Sequence, residues 1–194
     1  MNPALETIAF ALREHPADPG PVLFLGAEPH AELSGIPDLT AWQPLKPLAD
    51  SCGNAGMNLT EEPCGKFSTV LFLPGKSKDE ILAGFARAQD LLAPGGTLVV
   101  GLANTAGASR FEKQLSRAAP LLYSVSKNKC RAFAVGIGTP WDEAALGEWR
   151  GLAQPRNIPG TDFLTAPGVF SADHIDPGSA LLAERLPPSL YGRI

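Results

Sequence analysis

The sequence has few of the residues that cross-link small domains or bind structural metals. Its 194 residues include only three cysteines and three histidines. Cys52, Cys64 and Cys130 are odd in number and widely spaced, no C-x-x-C pair occurs, and the histidines show no ligand spacing beside them. These absences argue against a disulfide scaffold and against a structural zinc site, and we predict no metal. A chain of this length buries roughly 70% of its extended surface on folding. It therefore folds without the help of disulfides or a metal.

Long apolar runs are also absent. No stretch approaches the roughly 20 residues that span a bilayer. The N-terminal stretch MNPALETIAFALREHPADPG carries Glu6, Arg13 and Glu14, which indicates an amphipathic helix and not a signal peptide. The net charge of −4 gives no overall attraction to nucleic acid, so any such contact needs a local patch. We expect a cytoplasmic protein without membrane association.

Glycine is missing where a nucleotide-binding turn would need it. The stretch PVLFLGAEPH, residues 21–30, is typical of a first parallel strand, but after Gly26 the next glycine is Gly35, and Pro29 removes an amide. The later PGKS lacks the glycine of a phosphate-binding loop, since Val70 occupies that position. No Ser–His–acid or Cys–His pair is suggested. We predict a strand end that holds no cofactor, and no catalytic residue.

The hydrophobic pattern predicts a doubly wound α/β fold. Helices are predicted at 4–14, at 78–92 with Ser77 as N-cap and Glu80 three places on, at 108–118, and as a short helix within 141–160. Strands are predicted at 22–25, 68–73 and 97–102, with weak ones at 40–42 and 57–60, and as a pair within 121–138 joined at Lys127–Asn128. APGG should stop the second helix. This order favours a mostly parallel sheet with helices on both faces and an antiparallel hairpin at its end.

One segment is strongly basic. Between residues 110 and 131 a single acid, Glu112, stands among six cations: Arg110, Lys113, Arg117, Lys127, Lys129 and Arg131. Positions 110, 113 and 117 share a helix face. The pattern indicates either a solvated surface or contact with the phosphate backbone of RNA, and both alternatives remain open.

Two motifs resemble a known family. LLAPGGTLVVGL, and PGVFSADHIDPGSALL near the end, are similar to the methyltransferase small family, and within it to guanine-N2 methyltransferases of 16S ribosomal RNA. In that family an N-terminal domain without a cofactor site precedes a catalytic domain that uses S-adenosylmethionine. The resemblance implies a Rossmann-like, methyltransferase-like domain at 1–140 and a linker leading to a catalytic domain at 141–194. It further implies ribosomal RNA and that catalytic domain as partners.

The departures from the family pattern point the same way. An active member has a D-x-G-x-G turn after its first strand and an Asn-Pro-Pro-aromatic stretch after a later one. This sequence has GAEPH and PGKS at those places. We therefore expect an inactive half that binds no S-adenosylmethionine alone, in a chain that continues past Ile194. A self-sufficient divergent methyltransferase and a homodimerisation module remain alternatives.

The resemblance also implies residues that border the cofactor of a following domain. They are Phe170, Ser171, Asp176, Gly178 and Ser179. The alternative for the same segment is a linker and helix start, with Asp176 as N-cap and Pro177 at the first helical position, and both interpretations can be true together.

Overall fold

A computed structural model describes residues 2–136 and 140–187. The main sheet has seven strands: β1 Val22–Leu25, β2 Leu39–Trp42, β3 Asn58–Leu59, β4 Phe67–Phe72, β5 Leu92–Ala103, β6 Leu121–Lys127 and β7 Cys130–Gly136. Their order is β3-β2-β1-β4-β5-β7-β6. The pairs among β1 to β5 are parallel, and β7 runs antiparallel to both β5 and β6. The predicted doubly wound, mostly parallel class is confirmed.

Six helices accompany the sheet: α1 Pro3–Glu14, α2 Lys46–Asn54, α3 Lys78–Leu91, α4 Ala108–Ala118, α5 Glu143–Leu152 and α6 Pro177–Arg185. Buried residues form two clusters, one on each face of the sheet. Helices α3, α4 and α5 share the first cluster with Leu23 and Leu25, whereas α1 and α2 share the second with Val22 and Phe24. Alternate residues of β1 thus enter opposite cores, which is why the strand is apolar throughout.

Helix α1 lies across strands that follow it by more than a hundred residues. Thr7 Oγ1 donates to the carbonyl of Lys127 at 3.1 Å. The Lys127 ammonium lies 4.6 Å from the centre of the Phe10 ring, and His15 stacks on Tyr123 at 4.0 Å. Side chains in the middle of α1 and at its C-terminal cap therefore fix the helix to the hairpin of β6 and β7.

Local signals placed most element boundaries correctly. Ser77 caps α3 by accepting a hydrogen bond from the Glu80 amide, as predicted. The hairpin turn is one residue later than predicted: Asn128 and Lys129, with φ of 52° and 58°, form it, and Lys127 belongs to β6. Positive φ at both positions gives the twist that a two-residue hairpin requires. The predicted strand end at 137–138 lies outside the described residues.

One predicted boundary was wrong, and one helix was missed. Helix α3 does end at Leu91, but APGG continues into β5, whose pairing with β4 shifts register between Phe67 and Thr69. Helix α2 was not predicted, because its sequence KPLADSCGN contains proline, serine, glycine and asparagine, which are poor helix formers. The two weak strands of this region are confirmed as β2 and β3 and pair in parallel.

Residues after 140 differ in how they pack. Trp141, Leu146 and Trp149 are buried in the first cluster, and the Trp149 ring lies 5.7 Å from that of Phe85. Beyond them, β8 Arg156–Asn157 and β9 Leu164–Thr165 form a small hairpin, and α6 buries no residue. The proposed border after residue 140 remains a prediction, and residues 188–194 of that segment lie outside the described chain. Among the described helices, none has the length and apolarity to cross a bilayer.

Candidate functional site

The end of β4 holds the turn after β1. Gly26 has a φ of +70°, and a Cβ at this position would lie 2.2 Å from the Leu73 carbonyl oxygen. The Leu73 amide in turn donates to the Leu25 carbonyl at 3.0 Å. Only glycine fits here, because both the left-handed backbone and the passing chain exclude a side chain. This glycine thus serves the closure of β1 against β4.

The polar groups that follow this glycine form hydrogen bonds with other parts of the chain. The Ala27 amide donates to the Trp42 carbonyl at 3.0 Å, and the Ala27 carbonyl accepts from Gln43 Nε2 at 2.9 Å. Asn2 Nδ2 donates to the Glu28 carboxylate at 3.0 Å. The turn therefore does not fit the close, glycine-lined approach by which S-adenosylmethionine would be held.

A cleft nevertheless runs along the carboxyl ends of the strands. Its larger part, about 600 Å³, lies beyond β1, β2 and β4, and its lining includes Gly26, Glu28, Trp42, Gln43, Phe72, Lys76 and Glu80. A neighbouring part of about 490 Å³ extends to the end of β5 and shares Leu73, Pro74, Gly75 and Lys76. Ligands of open α/β sheets bind at this edge, where the strand order reverses.

The loop after β4 is organised around Glu80. Its carboxylate packs over Gly75, where a Cβ would lie 2.7 Å from Glu80 Oε2. Burial raises the pKa of Glu80 above its ordinary value. The Ser77 side chain already accepts a hydrogen bond as the N-cap of α3. The loop has no Asn-Pro-Pro stretch that could accept hydrogen bonds from a base.

The segment after α5 covers part of the larger cavity. Pro167 and Gly168 join its lining, and a Cβ at Gly168 would lie 3.0 Å from Glu80 Oε2. Arg156 fixes the segment, since it pairs with Asp79 of α3 at 3.5 Å and with Asp173. The C-terminal segment is thereby placed at the carboxyl edge of the sheet.

The residues predicted to border a following domain's cofactor lie further along this segment. They are Phe170, Ser171, Asp176, Gly178 and Ser179, and none of them lines either part of the cleft. Asp176 Oδ2 accepts from the Ser179 amide at 2.9 Å and from its hydroxyl at 3.1 Å, which is a helix N-cap. Ser171 Oγ donates to the His174 carbonyl at 2.6 Å. The capping alternative therefore accounts for Asp176 and Ser179, and a cofactor role for the five remains a prediction.

The same segment exposes many apolar side chains. They are Phe163, Leu164, Val169, Phe170, Ile175, Leu181, Leu182 and Leu186. Phe170 is 85% exposed, more than any other exposed large hydrophobic residue of the described chain. Contiguous exposed apolar residues are typical of surfaces that contact another domain or protein.

The basic residues divide into two groups. Arg110, Lys113 and Arg117 from α4 and Arg131 from β7 line one pocket of about 650 Å³, which we call the basic pocket. Arg131 forms an ion pair with Glu112. Among the described residues, the other three have no carboxylate within 4.0 Å. The basic pocket thus carries a net positive charge on a protein of net charge −4.

Lys127 and Lys129 are not part of the basic pocket. The Lys127 ammonium lies against the Phe10 ring, and the Lys129 carbonyl accepts a hydrogen bond from the Asn104 amide at 2.9 Å. Neither lysine lines the basic pocket, so a role for them in RNA contact remains a prediction.

Two of the three cysteines, Cys52 and Cys130, are buried. Burial raises the pKa of the Cys52 thiol, with a smaller contribution from Glu28, and burial also raises that of Cys130. Buried thiols of raised pKa are poor nucleophiles. Within residues 2–136 and 140–187, no group of three metal-ligating side chains converges.

Sequence comparison relates this chain to RNA methyltransferases. The family model "Methyltransferase small domain" matches residues 160–194. Ribosomal RNA small subunit methyltransferase C of Psychromonas ingrahamii is 26% identical over 152 residues, which are 76% of this chain and 43% of that protein. Its Salmonella newport counterpart is 29% identical over 126 residues, 65% of this chain and 36% of that protein. The chain thus spans less than half the length of these relatives, and the expected resemblance is confirmed.

Solved structures share the fold. The T. thermophilus 16S rRNA N2 methyltransferase (RsmC), in complex with AdoMet and guanosine, matches with a TM-score of 0.69 at 19% identity, over 91% of this chain and 51% of that one. A methyltransferase from Pyrococcus furiosus matches with a TM-score of 0.51 at 14% identity, over 70% of this chain and 83% of that one. The fold is therefore similar to that of these methyltransferase structures.

Sequence reasoning missed three polar residues of the basic pocket, of which Ser109 is one. Asn104 and Gln114 both line it. Gln114 could have been found, because it lies four positions after Arg110 and three before Arg117, on one helix face. Asn104 could not, since its place depends on the pairing of β5 with β7.

Proposed function

We propose that this chain is the non-catalytic, N-terminal domain of an S-adenosylmethionine-dependent ribosomal RNA guanine-N2 methyltransferase. It supports the catalytic half and helps to bind the RNA. This proposal rests on the turn after β1. The Leu73 carbonyl lies where a side chain at Gly26 would be, and the polar groups of Ala27 and Glu28 form hydrogen bonds within the chain. A fold built to hold the cofactor has here used its binding turn for internal packing. Ribosomal RNA as the partner implies a cytoplasmic location.

The other half would be a C-terminal methyltransferase domain of the same polypeptide. Three observations support this. The small-domain family model matches residues 160–194, the relatives are more than twice as long as the part matched, and residues 163–186 expose apolar side chains. Residues 141–194 would then lead into that domain, which would hold S-adenosylmethionine with Phe170, Ser171, Asp176, Gly178 and Ser179 at its border.

RNA contact is assigned to the α4 face. Replacing Arg110, Lys113 and Arg117 with glutamate should weaken binding of a 16S ribosomal RNA fragment at least tenfold. It should also lower the salt dependence, by about 0.7 in log–log slope for each phosphate that the variant no longer neutralises. The control is Lys46→Ala on α2, on the opposite face of the sheet. Equal binding by the triple variant and the parent chain at low salt would refute the assignment.

A self-sufficient divergent methyltransferase is the second candidate, and the cavity of about 600 Å³ at the strand ends favours it. Calorimetric titration of the chain with S-adenosylmethionine separates the two. Micromolar binding would support the enzyme and overturn the non-catalytic assignment. Absence of heat at ligand concentrations far above micromolar would support the inactive half.

A homodimer is the third candidate. Leu121 and Leu122 are exposed on β6, one of the two edge strands of the described sheet. Sedimentation at several protein concentrations tests it: a mass that rises from monomer to dimer would support self-association, and a constant monomer mass would exclude it over that range.

A further inference from the structure

The basic pocket combines cations with polar groups that have no partner in the chain. Its cations are Arg110, Lys113, Arg117 and Arg131. Gln114 Oε1 and Arg131 Nε are both buried, and among the described residues neither has a hydrogen-bond partner. Buried polar atoms are normally satisfied, because leaving one unpaired costs free energy. Two such atoms in one pocket of about 650 Å³ indicate a ligand that supplies what they lack.

The two atoms require different chemistry from that ligand. Arg131 Nε is a donor and needs an acceptor, while its Nη1 is already paired with Glu112, which fixes the guanidinium in place. The Gln114 amide needs a group that can donate to its oxygen. A phosphate oxygen can accept a hydrogen bond from Arg131 Nε. A ribose 2′-hydroxyl, which both donates and accepts, can donate one to the Gln114 oxygen.

We propose that the basic pocket binds one phosphate–ribose unit of an RNA strand and distinguishes RNA from DNA. Resting on the proposed RNA contact, this assigns Arg131 Nε and the α4 cations to the phosphate and Gln114 to the ribose 2′-hydroxyl. A DNA strand satisfies the cations equally well but leaves the Gln114 amide unpaired. Recognition of the backbone in this way is independent of base sequence.

The test compares two labelled single strands of equal length, oligouridylate and its deoxyribose counterpart, by fluorescence anisotropy with the whole chain. One hydrogen bond corresponds to a preference for RNA of about fivefold. Gln114→Leu should abolish this preference by weakening RNA binding about fivefold while DNA binding stays unchanged. Gln114→Met, also apolar and of similar length, guards against a packing defect of leucine. Lys46→Ala on the opposite face should keep both affinities.

Each outcome decides the matter. Loss of the preference in both Gln114 variants, with parental thermal unfolding, supports the proposal. Equal affinity of the parent chain for RNA and DNA, or a preference that survives in both variants, overturns the ribose contact and leaves the α4 phosphate contact standing. Failure of the parent chain to bind either strand at low salt overturns both this inference and the proposed RNA contact.

Discussion

Gly26→Ala tests whether the glycine after β1 serves packing. The new Cβ would lie 2.2 Å from the Leu73 carbonyl oxygen and 3.2 Å from its carbon, and both belong to backbone that cannot rotate away. Gly56 is a matched control, because its φ of +76° is close to the +70° of Gly26 and a Cβ there meets nothing within 4 Å. Both variants incur the left-handed conformational cost, about 1–2 kcal/mol. Gly26→Ala adds overpacking of about 1–3 kcal/mol.

Urea unfolding, followed by tryptophan fluorescence, measures the difference. The buried Trp141 and Trp149 report on loss of the core. We expect the free energy of unfolding to fall about 1–3 kcal/mol further in Gly26→Ala than in Gly56→Ala, with similar m-values. Equal losses would refute the reasoning, because they would mean that β1 and β4 separate at this point without cost, and the glycine would again be open to a ligand.

Two further predictions concern stability. Trp149→Ala should lower the free energy of unfolding by about 3–5 kcal/mol, since Trp149 is 5% exposed and packs on Phe85; a loss below about 1 kcal/mol by urea unfolding would show that α5 is not part of the fold. Burial raises the pKa of Tyr123 to about 12 from its ordinary 10.0. Folding favours the neutral phenol, so this contribution is complete below pH 10 and is lost as the pH rises towards 12. Tyr123→Phe should lose less stability over that range in alkaline unfolding, and identical curves would contradict this.

The sequence predicted those elements whose signals are local. The bounds of β1 and α4 were correct because an unbroken apolar run and a helical period identify them without reference to the rest of the chain. Helix α2 was missed because it depends on tertiary packing: Cys52 is fully buried and its thiol donates to the Ala27 carbonyl at 3.3 Å. A helix of poor formers is stabilised by such contacts and not by propensity.

The residues of the candidate site were also predictable only where their signals are local. The α4 face was predictable, since Arg110, Lys113 and Arg117 are neighbours on one helix. That Arg131 would join them and Lys127 would not depends on strand pairing, which brings residue 131 beside Glu112 and turns residue 127 towards Phe10. Side chains alternate between the two faces of a strand, and this alternation separates Lys127 from Arg131 although they are close along the hairpin. The register of the pairing sets which face each one takes, and no local pattern determines it.

The position of α1 also determines when this domain can be completed during synthesis. The helix is made first, yet the group that Thr7 contacts lies 120 residues later in the chain. At about 5–20 residues per second, the ribosome needs some 6–24 s to deliver it. Until then α1 can pack on β5, where Ile8 lies against Gly101, but it has no contact with β6 or β7. A nascent chain halted before β7 would therefore leave exposed the part of α1 that packs on the β6–β7 hairpin.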